Sequence, residues 1–262
     1  MTILLGNRTK EKPSPDAMSI NEHLGELRHR VVICVLAFVA AAITAAVLYE
    51  PILHFLIRPL CQVDSTSVDH AASSFGAHGS CNLYVTSPLD GLSLRVKIAV
   101  FGALFMASPV ILFQIWQFIT PGLKSREKKY AAPFVIATTV LFFLGAATAY
   151  VTLPHALAFL KSVGGPNLQT IYDPIPYLGL ILLMMALFGL TFQFPVILVS
   201  LELARVVTPA RLLRSWRWAI ILITLVSGVA TPSSDPFSML ALALPLIFFY
   251  FASIGIGKLF GR

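Results

Sequence analysis

Six runs of the chain contain no Asp, Glu, Lys or Arg: residues 31–49, 98–123, 130–160, 177–201, 218–230 and 237–257. A helix needs roughly 20 apolar residues, about 17 to 25, to cross a bilayer, and five of the runs are long enough. The fifth, 218–230, has 13 residues and reaches about 20 Å at 1.5 Å per residue. It still spans if a flanking arginine snorkels and the bilayer thins locally. The pattern therefore predicts an all-α, polytopic membrane protein with six transmembrane helices, the fifth and sixth of them short. Pro109, Pro121, Pro133, Pro154, Pro195 and Pro245 fall in or beside these runs. In a membrane they predict bends whose freed carbonyls are taken up by neighbouring helices.

The polar stretches divide the rest of the chain. Residues 1–18 have no apolar period and read as a disordered tail; a membrane domain follows over 19–258. Ser19 and Glu22 form a capping box. Ile20, Leu24, Leu27 and Val31 then recur on one helical face, with His23, Glu26 and Arg30 on another. This short amphipathic lead runs straight into the first span. The 50–97 stretch is too long for a simple connection and reads as an exposed middle, Ser65 to Ser80, between two ordered ends.

Composition agrees: 57% of residues are hydrophobic and 12% charged, where soluble chains run near a quarter charged. Mean hydropathy is +0.82. Of the 19 Lys and Arg residues, 15 fall in the tails and loops of one side and four on the other. The positive-inside rule then places both termini in the cytoplasm, in a cytoplasmic membrane, with 50–97 facing outward and membrane lipids around the spans. The basic balance is explained by this asymmetry and implies no nucleic-acid partner. The first run reads as an uncleaved helix, because its 19 apolar residues and long polar lead exceed those of a removable signal. Cys34 lies inside it as a packing residue. Cys61 and Cys81 share the outward stretch, on the oxidising side. A disulfide between them would close a loop of about 20 residues and contribute roughly 3 kcal/mol; the alternative is two free thiols.

The spans offer little chemistry. They hold no Asp, Glu, Lys or Arg and one histidine, His155, without an evident partner, so neither paired catalytic residues nor an ion relay is expected. That counts against a membrane hydrolase and against a six-helix small-molecule or ion carrier, the alternative function. The histidines show no metal-ligand spacing, and no phosphate-binding glycine loop is present. No catalytic residue, metal or cofactor is expected.

Two carboxylates stand instead on the cation-rich side, Glu26 in H-L-G-E-L-R-H-R and Glu127 in S-R-E-K-K. Each can pair with a local cation, Glu26 with Arg30 at i, i+4, for a few tenths of a kcal/mol. Each can also accept the fork of a guanidinium. H-L-G-E-L-R-H-R resembles the start of the TatC family, the polytopic core of the twin-arginine protein translocase. So do S-P-V-I-L-F-Q-I-W-Q-F-I-T-P-G-L-K-S-R-E-K-K at 108–129, F-Q-F-P-V at 192–196 and A-T-P-S-S-D-P-F-S at 230–238. The resemblance covers roughly residues 19 to 258.

That resemblance implies a receptor for the twin-arginine signal peptides of folded cargo, with export driven by the proton-motive force. It implies that Glu26 and Glu127 contact the paired arginines. Arg28, Phe118, Pro59 and Pro109 match family positions linked to signal binding or to its scaffold. It implies single-span partners, TatA and, where present, TatB, with Gln193, Thr231 and Met239 as partner-helix contacts, and self-association. The chain departs from the family pattern at Gln193, where many relatives carry glutamate, and at Met239, a position polar in some. An internal bond from Gln193, to Thr191 or to a carbonyl freed by Pro195, is the competing expectation.

Overall fold

The computed structural model describes residues 20–65, 87–119, 131–164, 173–203, 206–232 and 235–259. These are helical almost throughout: α1 (Ile20–Val47), α2 (Tyr49–Ser65), α3 (Asp90–Ile119), α4 (Ala131–Gly164), α5 (Pro174–Thr191), α6 (Phe194–Leu203), α7 (Pro209–Arg214), α8 (Trp216–Ala230) and α9 (Pro236–Leu259). Five stretches are long and apolar enough to cross a membrane: 25–47, 90–117, 133–163, 174–202 and 236–258. With the shorter apolar α8 they make the six expected spans. Only the fifth of them is short, at 15 residues. The sixth has 24 residues, because α9 starts at Pro236 and continues to Leu259. Pro236 suits a first helical position, where its missing N–H costs nothing.

The fourth span is two helices, not one. Pro195 has no N–H to give to Thr191, so the ladder cannot continue through it. The turn tightens instead, with Phe192 N on Phe188 O and Gln193 N on Leu190 O. In the 50–97 stretch α2 fills the first part. Pro59 frees the carbonyl of Phe55, and Tyr150 of α4 donates its hydroxyl to it at 2.8 Å. Tyr177 of α5 donates to the next carbonyl, Leu56, at 2.9 Å. Phe55 also stacks on Tyr150, ring centroids 4.4 Å apart. In α3, Pro109 frees the carbonyl of Phe105, which accepts from Ser108 Oγ at 2.8 Å.

The span that begins with α5 is the most deeply buried. Tyr177, Leu178, Ile181, Met184 and Phe188 share one buried core with Ile98 of α3 and Leu153 of α4. The α4–α5 crossing is tight enough that a side-chain carbon on Gly145 would stand 2.6 Å from Phe188 O. Facing pairs set the directions. Arg30 meets Gln114, and Gly102 lies against Ala45, so α1 and α3 are antiparallel. Glu202 of α6 lies on Gly257 of α9, and Phe159 of α4 on Phe237 of α9. The starts of α1 and α4 and the ends of α3, α6 and α9 therefore share one side of the bundle. α2 caps the other. There burial pushes the Tyr49 phenol above its usual value, Glu50 adds to this, and Arg95 opposes it from 5.1 Å over the ring.

Large apolar side chains remain exposed on α1 (Val35, Leu36, Val39, Ile43) and α8 (Ile221, Leu222, Leu225, Val229). A bilayer is the medium that covers such faces without penalty.

Candidate functional site

The site builds on the first turns of α1. Glu26 and Arg30 lie one turn apart and form an ion pair through Glu26 Oε1. Arg30 is only 9% exposed, and its second terminal nitrogen donates to the carbonyl of Gln114 on α3 at 3.2 Å. One guanidinium thus ties the start of α1 to the end of α3 and holds Glu26 at that junction. The Glu26 side chain remains 27% exposed, and among the described residues its Oε2 has no partner. A carboxylate offers about four lone-pair sites, so a second guanidinium has room. Arg28 and His29 are exposed beside it.

The apolar face of this lead points away from the protein. Leu27 is 40% and Val31 51% exposed, while Arg30 is buried. Periodicity separated the faces; it did not say which one meets α3. Arg30 is the residue that sequence reasoning undervalued. Its i, i+4 spacing to Glu26 was visible, but its bond to Gln114 joins residues 84 apart.

The other expected residues are dispersed. Pro109 is five residues before Gln114 on α3, about 8 Å along the axis. Phe118 is in the last turn of α3, its side chain outside the described residues, as is all of Glu127. The ends of α3 and α4 that flank residues 120–130 are held together by Trp116 and Phe134, ring centroids 5.0 Å apart. Pro59 is elsewhere. It lies in α2 beyond the far end of α1, about 32 Å from Glu26 over the 21 residues to Val47. It is buried and serves the cap, through the carbonyl it gives to Tyr150.

Gln193 sits at the α5–α6 break and is 7% exposed. Its Nε2 donates to Thr138 O of α4 at 3.0 Å and lies 3.5 Å from Gly189 O, while Oε1 is buried with no hydrogen-bond partner. Neither acceptor is the Thr191 side chain nor the carbonyl that Pro195 frees. Thr231 is buried and caps α8, its Oγ1 on Gly228 O at 3.3 Å. Met239 lines an open apolar groove of about 590 Å³ with Ile220, Ile221, Thr224, Leu225, Gly228 and Val229. Gln193 is not among the residues of that groove. Cys61 lies in α2 with its side chain undescribed, and Cys81 falls outside the described residues. Among the described residues no three His, Cys, Asp or Glu side chains gather as metal ligands.

Residues 22–245 match the family described as Sec-independent protein translocase protein (TatC). The chain belongs to the TatC family. It is 39% identical over 249 residues to the TatC of Frankia casuarinae, covering 94% of this chain and 67% of that one. It is 30% identical to the TatC of Synechocystis over the whole length of both. A crystal structure of the twin-arginine translocase receptor TatC superposes with a TM-score of 0.71 at 30% identity, covering 90% of this chain and 99% of the other. The helical fold and the translocase assignment expected from the four motifs are thereby established. A carrier is not.

Proposed function

We propose that this chain is the signal receptor and membrane scaffold of a twin-arginine translocase, working by binding and not by covalent catalysis. Both termini lie on the cytoplasmic side of the cytoplasmic membrane, a reading supported by the 15-to-4 distribution of Lys and Arg. The observation that carries the proposal is Glu26, held half-exposed by Arg30 at the α1–α3 junction with one carboxylate oxygen open. Glu127, in the segment that leaves α3, supplies the second acid. Two adjacent arginines of a signal peptide engage the two carboxylates. The surrounding Lys124, Arg126, Lys128 and Lys129 repel a single stray cation, so only the paired engagement recovers enough energy to dock.

A guanidinium presents a planar fork that an ammonium lacks, so arginine is selected over lysine. The α8–α9 groove with Met239, the end of α8 at Thr231, and Gln193 through its unpartnered Oε1 are the contacts for the single membrane helices of TatA and TatB. The proton-motive force drives the transport of folded cargo. Co-purification of the full chain with a twin-arginine signal peptide, against the same peptide carrying two lysines, tests the receptor role. Retention of the arginine form alone is expected; equal recovery of both peptides refutes it.

A further inference from the structure

One carboxylate has no place in this scheme. Glu202, in the last turn of α6, is 1% exposed. Among the described residues neither of its oxygens has a hydrogen-bond partner. The pocket is built around it by α9 and α7. A side-chain carbon on Gly257 of α9 would overlap Glu202 Oε2 and stand 2.9 Å from Pro209 Cγ of α7. Only a glycine there lets the carboxylate lie on the α9 backbone with α7 closed over it.

Among the described residues no charged group pairs with it. Tyr250 of α9 is near enough to interact electrostatically with Glu202, but its hydroxyl donates to Leu212 O of α7 at 2.7 Å. Arg211 and Arg214 of α7 and Lys258 of α9 are exposed, and none of them pairs with it. Arg217, next along, rests on the Trp216 ring. The described part of α4, which also touches α6, carries His155 and Lys161 at its opposite end.

An isolated ionised carboxylate in such a site costs several kcal/mol. A metal cation needs further oxygen ligands, and no cluster of three candidate ligands exists among the described residues. The sealed geometry leaves room for the smallest cation. We propose that Glu202 is a proton-binding site at the end of the fourth span, on the same side of the bundle as Glu26. It is a neutral carboxylic acid while α6, α7 and α9 are packed together, and it gives up its proton only when they part. The neutral acid still lacks a hydrogen-bond partner, at a cost of about 1–3 kcal/mol, which is less than that of the bare charge. The packed state binds one proton more than the opened state, so rising pH favours opening.

Infrared spectroscopy of the full chain in lipid nanodiscs, with glutamate carboxyls carbon-13 labelled, tests this at neutral pH. The expected result is the carbonyl stretch of a protonated glutamic acid that moves with the label and is lost in Glu202→Gln. Absence of that band in the wild type, or its survival in Glu202→Gln, overturns the proposal. Gly257→Ala keeps the acid but crowds its oxygen, so it reports even where the glutamine variant does not fold. It should shift or abolish the band, and an unchanged band counts against the site.

Discussion

Replacing Glu26 with alanine isolates the recognition step from the fold. The Glu26–Arg30 pair is one turn of helix at the edge of the bundle, with side chains 27% and 11% exposed. Exposed pairs one turn apart contribute a few tenths of a kcal/mol to stability, and the burial of Arg30 raises this to about 1 kcal/mol. Arg30 also keeps its bond to Gln114 O in the variant. The melting temperature of the solubilised protein should therefore fall by only about 2–4 °C. Binding is different. A hydrogen-bonded contact to a charged group contributes about 1.5–3 kcal/mol. Partial exposure and the share of the carboxylate already held by Arg30 reduce that to about 1–2 kcal/mol. Affinity for a twin-arginine peptide should fall about 5- to 30-fold. Fluorescence anisotropy with the receptor in nanodiscs measures it, and the gap between wild type and variant should narrow at high salt as the charges are screened. An affinity within twofold of wild type, with the protein folded, refutes the assignment of Glu26 to the arginine pair. The same loss accompanied by a large fall in melting temperature refutes the separation of binding from fold.

Glu127→Lys should depress signal-peptide crosslinking more than Glu127→Ala, because it completes the ring of cations in 124–129; wild-type crosslinking in the lysine variant would sink that assignment. Tyr177→Phe removes the hydroxyl that donates to the Leu56 carbonyl, and should cost about 0.5–1.5 kcal/mol, read as a lowered thermal midpoint with signal binding retained. Gln193→Leu should preserve signal binding but reduce crosslinking to a single-span partner; unchanged crosslinking and export would mean that the bond to Thr138 is its whole role. Mass spectrometry after alkylation without reductant should find Cys61 and Cys81 joined, and two alkylated cysteines would exclude the disulfide.

Much of this protein is written in one dimension. Spans are legible because a bilayer demands a fixed length of apolar chain and the backbone must bond within it, so each charge-free run marks a helix, although α1 and α3 begin at Ile20 and Asp90, well before runs that start at 31 and 98. The positions of Glu26 and Pro109 on α1 and α3 follow from the same pattern. What stayed hidden depends on which face of a helix meets which neighbour. Lipid covers apolar surface as readily as a protein core does, so Leu27 and Val31 turn outward while Arg30, charged, is drawn inward to a carbonyl on α3. Pro59 frees a carbonyl only once it is known to lie inside α2, and nothing in the sequence says that Tyr150, 95 residues from the Phe55 that owns it, satisfies it. In the sequence Glu202 is the charge that ends the fourth apolar run, 177–201. Packing against Gly257 and Pro209 closed it from water instead. Periodicity specifies length and face, whereas only the assembled bundle decides which polar atoms find partners and which are left without one.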